Sequence, residues 1–395
     1  MLKAFSIARL PRIEFGNGVV SRLPGICARY GRRLLLVTGA RSLRTTPHWE
    51  RITGGLKANG LAWDHFTVDA EPSPELVDRA VQAYRNTPVD TVVGIGGGSA
   101  LDAAKAIAGL LRVRRSVLDY LEGVGPELPY EGPAVPFIAV PTTAGTGSEA
   151  TKNAVLSVQG PGGFKKSLRD ERLVAQYAVV DPQLLASCPR QVIAANGMDA
   201  LTQLIESYVS IRSNPFTDAL AIGALRAARD GLLPWYEHGA GAAQAREGMA
   251  YAALVSGIAL AQTGLGAVHG LASPLGAYYP IPHGVACGTL VAAATEINIR
   301  AMLEREPDNP ALTRYARLGE ILCKRRYREP QQAREALVRR LREWTERLGL
   351  PPLSRYGLDT SGIDQVVAHA RGSSMKTNPI VLSDGEIREL VKTRL

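Results

Sequence analysis

One segment of the chain has the residue types that suit a phosphate. It runs Gly94, Ile95, Gly96, Gly97, Gly98, Ser99, Ala100, Leu101, Asp102 and on to Lys105. Bare backbone lets N–H groups approach a pyrophosphate closely, and a helix starting behind the turn favours negative charge there. Ser99 is expected to cap that helix, with Asp102 and Lys105 one turn apart along it. The pattern is not the GxGxxG fingerprint, because Ser99 stands where the last glycine would be, and no Gly-Lys-Ser/Thr follows to make a Walker loop. A turn serving only packing is the alternative, but three consecutive glycines between a strand and a helix favour phosphate. A second loop, Pro141-Thr142-Thr143-Ala144-Gly145-Thr146-Gly147-Ser148-Glu149, directly follows an apolar run. Its hydroxyls and bare backbone suit the other wall of a dinucleotide cleft.

A different chemistry is suggested further along. Asn196-Gly197-Met198-Asp199-Ala200-Leu201-Thr202-Gln203-Leu204-Ile205-Glu206 puts Asp199 and Gln203 four residues apart, on one helix face. His269 and His283 are two of only six histidines, and both lie in one apolar region rich in glycine and proline. Carboxylate and imidazole are metal-ligand types, but the spacing of the two histidines fits no short metal motif. On residue types alone, structural histidines and metal ligands both remain open.

The elements that must position these groups follow from hydrophobic patterning. Leu34–Thr38, Thr91–Ile95 and Phe137–Val140 are short apolar runs that read as buried strands. Helix-period segments lie between them, at Pro74–Tyr84 and Leu101–Leu111. Such alternation predicts an α/β domain with a mostly parallel sheet, whose ligands bind at the carboxyl ends of the strands. After Asp181-Pro182 the strand-like runs give way to alanine-rich helical patterns: Asn196–Tyr208, Thr217–Leu232, Ala243–Gln262 and Gln331–Leu348. The expected division is a dinucleotide-binding α/β domain over residues 1–185 and an all-helical metal and substrate domain over residues 186–395.

The whole-chain properties narrow the class. A 46% hydrophobic and 21% charged composition is that of a globular protein. The net charge of +9 raises the question of nucleic acid. The densest basic stretch, Lys324 to Arg342, is interleaved with Glu329 and Glu335, as on a solvated helix face. No nucleic-acid partner is expected; a positive field that draws in an anionic cofactor or substrate is the milder reading. Four cysteines with no CxxC pair suggest a reducing compartment. The apolar stretch Ala250–Ala261 is too short to span a membrane, and the N-terminus lacks a leader's long apolar run. A cytoplasmic protein with no membrane partner is the expectation.

Taken together, GGGSxxDxxK (residues 96–105), PTTAGTGSE (141–149), GMDALT (197–202) and PHG (282–284) resemble the iron-containing (group III) alcohol dehydrogenase family. The resemblance runs from Ile13-Glu14-Phe15-Gly16 to Thr377-Asn378-Pro379. It implies a Rossmann-like N-terminal domain, an all-α C-terminal domain and an active site between them. It implies NADP or NAD as cofactor, with Gly96, Gly97, Gly98, Ser99 and Asp102 at the pyrophosphate turn and Thr142, Thr143 and Thr146 lining the cleft. Lys165 matches a lysine that contacts the cofactor ribose, with Lys166 as its substitute. The substrate implied is a small alcohol or aldehyde, and a homodimer is the common minimum assembly.

Asp199, His269 and His283 match three of the family's metal-holding positions and are the implied catalytic centre. The fourth position falls at Gln203 rather than a histidine, which leaves iron in question and zinc as the other candidate. Ser273 replaces a further histidine found in many members. Gly39, followed by Arg41, Ser42 and Arg44, stands where NAD-using members carry an aspartate, so a 2′-phosphate should be accepted. The alternatives are a metal-free reductase of the maleylacetate reductase type and a non-catalytic cofactor-binding relative. A lyase like dehydroquinate synthase, with glutamate where Asp199 stands, is the remote one.

Overall fold

The computed structural model describes residues 4–395. Its first part is built on eight strands: β1 (Arg12–Phe15), β2 (Arg33–Gly39), β3 (Ala62–Val68), β4 (Thr91–Gly96), β5 (Phe137–Pro141), β6 (Asn153–Val158), β7 (Phe164–Arg169) and β8 (Tyr177–Val180). Six of them form one sheet in the order β1-β8-β5-β4-β2-β3, every neighbour parallel. Helices α1 (Leu23–Cys27), α2 (Pro47–Ala58), α3 (Pro74–Tyr84) and α4 (Gly98–Leu110) accompany it.

Period-two alternation sorts the side chains of β2. Leu35 and Val37 join one core with Val77, Ala104 and Ile107 of α3 and α4. Leu34 and Leu36 point the other way, with Val93, Ile95 and Ile138, into a second core that continues into the helical part. Both faces are covered, which is why the central strands are apolar runs rather than alternating ones. The order of strands reverses between β2 and β4, so their ends, Gly39 and Gly96, flank the switch point where such sheets bind ligands.

From residue 190 the regular elements are helical: α5 (Arg190–Val209), α6 (Pro215–His238), α7 (Ala243–Thr263), α8 (Ala267–Tyr278), α9 (His283–Arg305), α10 (Ala311–Cys323), α11 (Pro330–Arg347), α12 (Ile363–His369) and α13 (Asp384–Lys392). Among the described residues no single helix is long and apolar enough to cross a membrane. The apolar α7 is buried instead against α5 and α6, and Met249, Leu254 and Val255 belong to the core.

Two expectations are corrected. Ser99 does not cap α4: Gly97 does, and the helix begins at Gly98 with no side chain bonded over its end. A glycine cap leaves the first helical N–H groups free of a competing hydroxyl. The patterning also missed the antiparallel hairpin β6–β7, whose strands pair Asn153 with Arg169 through Val158 with Phe164. Half-buried Lys165, Lys166 and Arg169, which line the cavity, mask the alternation that marks a strand.

Candidate functional site

A cavity of about 1140 Å³ lies between the strand ends and the helical part. One wall carries Gly39, Gly97, Gly98, Ser99, Asp102, Thr146 and Lys165; the other carries Asp199, Gln203, His269, Ser273 and His283. Three expected residues stand just behind this lining. The Thr142 backbone N–H donates to the Gly96 carbonyl at 2.9 Å. Thr143 packs against Gly97, where an added Cβ would lie 3.3 Å from its hydroxyl.

The strand-side wall is held by a buried cation. Lys105, with no exposed surface, lies within 2.6–3.1 Å of the Ser148 carbonyl and hydroxyl, the Thr151 hydroxyl and the Asn153 carbonyl. Ser148 Oγ in turn donates to Asp102 Oδ1 at 2.5 Å. This network fastens the second loop to α4. Burial lowers the Lys105 ammonium to about 8 and raises the Glu149 carboxyl to about 7. The loop reaches the helical part by glycine contacts: a Cβ on Gly257 of α7 would lie 2.1 Å from the Gly147 carbonyl oxygen. Lys165, on β7, is paired with Glu71, its Nζ 2.8 Å from both carboxylate oxygens. Sequence reasoning missed Glu71; its one signal is a carboxylate just beyond the carboxyl end of β3. Ser273, standing where many family members carry a histidine, donates its hydroxyl to the Lys165 carbonyl at 2.9 Å.

The helical wall gathers side chains distant in sequence. Asp199 on α5, His269 on α8, and His283 and Cys287 on α9 place one donor atom each within 4.8 Å of all the others. His269 Nε2 lies 3.2 Å from Asp199 Oδ1, and His283 Nε2 lies 3.7 Å from it. The neck of α9 can come this close because residue 284 is glycine: a Cβ there would sit 2.5 Å from the Ala195 carbonyl oxygen. That contact is a packing reason for the PHG motif. Glu206 lies two turns beyond Asp199 on α5; its Oε2 is 2.6 Å from His269 Nδ1 and its Oε1 accepts from Val268 N–H at 2.7 Å. A carboxylate behind a histidine orients the ring and raises its basicity as a ligand. Glu206 and Cys287 were both missed, although their spacings from Asp199 and His283 put each on the same helix face as its neighbour.

The donor chemistry fits a divalent cation. Asp199 is 1% exposed and its Oδ2 has no hydrogen-bond partner. A buried, unpartnered carboxylate oxygen is costly unless a cation meets it. His269 meets the Glu206 carboxylate through Nδ1 and the Asp199 carboxylate through Nε2, so its Nε2 side takes either a second ring proton or a cation. Burial lowers His283 to about 4, so it is a neutral imidazole. Burial opposes ionisation of Asp199, yet the two histidines hold its carboxyl below the usual range. Burial likewise opposes charge on His269, but Cys287, Glu206 and Asp199 outweigh it and raise its pKa in the metal-free protein. Gln203 lines the same cavity, but its amide oxygen accepts from Ser256 Oγ at 2.7 Å.

A parallel sheet with an uncapped helix end thus faces an all-helical part carrying a buried cluster of metal-donor side chains. Comparison with known proteins makes this specific. Residues 11–182 match the model of "Iron-containing alcohol dehydrogenase", and residues 193–395 that of "Fe-containing alcohol dehydrogenase family, C-terminal". The chain belongs to the iron-containing alcohol dehydrogenase family and is an oxidoreductase acting on alcohols. It is 32% identical over 394 residues to long-chain-alcohol dehydrogenase 1 of Geobacillus thermodenitrificans, covering 98% of this chain and 96% of the relative. It is 29% identical over 389 residues to the NAD-dependent methanol dehydrogenase of Bacillus methanolicus, covering 98% of each. A solved 1,3-propanediol oxidoreductase superposes with a TM-score of 0.90 at 28% identity over the full length of both chains.

Proposed function

We propose that this protein moves a hydride between a nicotinamide dinucleotide and a small alcohol or aldehyde, at a divalent metal held by Asp199, His269 and His283. The observation that carries the reading is one cavity with an uncapped helix N-terminus on one wall and a buried Asp-His-His cluster on the other. Residues 1–185 would bind the cofactor and residues 186–395 the metal and substrate. Gly97, Gly98 and Ser99 offer backbone N–H groups to the pyrophosphate. Thr146 and the Glu71–Lys165 pair face the rest of the cofactor from the same wall. Bound at the helical wall, a divalent cation supplies Lewis acidity toward the substrate oxygen, and the nicotinamide supplies or accepts the hydride. Glu206 holds the His269 ring so that Nε2 faces the cluster, and the depressed pKa of His283 keeps its ring a free electron-pair donor.

The Gly39 position supports acceptance of NADP. A Cβ there would meet only Ser42 Oγ, at 3.9 Å, so the end of β2 itself has room and carries no carboxylate, while Asp69, just past the paired end of β3, also lines the cavity. The Gly39→Asp variant should shift the NADPH/NADH ratio of kcat/KM toward NADH by roughly tenfold, about 1.4 kcal/mol. An unchanged ratio would move the ribose site elsewhere.

The reading as a whole is tested by metal analysis of the purified protein, with NADPH oxidation over a panel of short aldehydes before and after chelation. One metal per chain, with activity lost on chelation and restored by zinc or iron, is expected. Full activity without metal would instead make this a metal-free reductase.

A further inference from the structure

The family resemblance looks for a fourth metal donor at position 203, and the residue there is Gln203. Its amide oxygen lies 2.7 Å from Ser256 Oγ, a hydroxyl that also reaches the Ala253 carbonyl at 2.8 Å. The packing of α9 brings a different donor to the cluster. Cys287 is fully buried, sits one turn after His283 on α9, and points its sulfur into the cluster. Sγ lies 3.6 Å from His269 Nε2 and 3.7 Å from His283 Nε2.

Those separations can be compared with what a metal demands. Tetrahedral zinc, with bonds of about 2.0–2.1 Å to nitrogen or oxygen and about 2.3 Å to sulfur, holds nitrogen and oxygen donors about 3.3 Å apart. The same geometry holds a sulfur about 3.5 Å from each of them. The observed Asp199–histidine separations are 3.2 and 3.7 Å, and the sulfur–histidine separations are 3.6 and 3.7 Å. Four of the six donor separations thus lie near those of a tetrahedral site, and the remaining two are no longer than 4.8 Å. Asp199 Oδ2, the other oxygen of that carboxylate, is buried and without a partner, a charge that a bound cation would offset.

We infer that Cys287 is the fourth metal donor of this protein, giving an Asp199-His269-His283-Cys287 site that selects zinc over iron. The inference rests on the reading that a divalent metal occupies the Asp-His-His cluster. A thiolate is a soft donor and favours zinc, whereas a site of carboxylate and imidazole alone discriminates less. A coordinating thiol is deprotonated outright by the ion, so the thiol's own acidity in the metal-free protein is no barrier. Zinc and cobalt accept a fifth ligand, so four protein donors still admit a substrate oxygen.

Cobalt(II) provides the test, because thiolate ligation leaves a spectroscopic mark that activity does not. The full-length protein is stripped with a chelator and titrated with cobalt(II) chloride without oxygen. The expected result is visible bands of four- or five-coordinate cobalt together with a near-ultraviolet thiolate-to-cobalt charge-transfer band, saturating at one ion per chain. The Cys287→Ser variant should keep the visible bands, lose the charge-transfer band and bind zinc more than about 100-fold more weakly, beyond the loss for an outer-shell partner. Gln203→Ala should keep both sets of bands. Circular dichroism of each variant checks folding, and the wild-type spectrum decides the matter even where a variant fails to fold. Visible bands without the charge-transfer band, or a band that survives in Cys287→Ser, would overturn the inference while leaving the metal site standing. No cobalt binding by the wild-type protein would overturn the inference and the metal reading together.

Discussion

The two walls of the cavity offer a ligand different means of attachment. The strand-side wall uses backbone: Gly97 and Gly98 at an uncapped helix end, with a loop kept in place by the buried Lys105. The helical wall uses side chains, one each from α5 and α8 and two from α9, aimed at a common point. A backbone site depends on empty space, so it fails when a side chain is added. A side-chain site depends on particular atoms, so it fails when one is removed. The wall built of side chains should also need an outer layer to hold them, and Glu206 is that layer.

Substitutions that hit one wall alone test this division. His269→Ala removes a donor and strands Glu206, and should lower kcat/KM by on the order of a thousandfold, several kcal/mol, with metal lost and dinucleotide binding kept. Retention of one metal per chain and near-full activity would show that the cluster is not the centre. Glu206→Gln is expected to weaken metal affinity 10–100-fold, read by competition with a chelator, again without change in dinucleotide affinity. An unchanged affinity would make Glu206 merely a partner of the Val268 backbone.

The converse comes from the other wall. At Gly98 an added Cβ would lie 2.7 Å from Thr146 Cγ2, so Gly98→Ala must displace the loop. We expect a roughly tenfold rise in the dinucleotide Kd, from about 1–2 kcal/mol of overpacking, with metal content untouched. If metal content fell as well, the two walls would not be separable.

The smallest effect concerns the loop's own charge. The folded-state pKa of Glu149, raised to about 7 by burial, exceeds the ordinary value of 4.5. The folded state therefore binds more protons than the unfolded state between those values, and stability falls as pH rises through that window. Thermal melts should show Tm dropping by a few degrees from pH 5 to pH 7, and Glu149→Gln should flatten that slope. An equal slope in both proteins would assign the effect to other groups.

These differences explain what could be read from the amino-acid order. The strand-side wall was legible because its geometry is local: an apolar strand, glycines and a helix start are neighbours in sequence, and so in space. The α3 helix was read with its observed ends, Pro74–Tyr84, because its apolar face and a proline start are both written locally. The hairpin that carries Lys165 was not legible, because Lys165, Lys166 and Arg169 occupy positions where alternation would otherwise show. Within the helical part the long helices were legible from their periodicity, but not which residues share a point.

The sequence by itself determined the α/β and helical division of elements and the glycine turn at a helix start, and left open whether Asp199, His269 and His283 are structural or metal-holding. Those depend on contacts within one or two turns of chain. Only the tertiary structure decided that residues 199, 269, 283 and 287 meet, that Glu206 stands behind His269, and that Ser256 takes the oxygen of Gln203. Each of those depends on how α5, α7, α8 and α9 pack, through close approaches such as Gly284 against Ala195. Helical periodicity tells which face a side chain occupies, but packing alone tells what stands opposite.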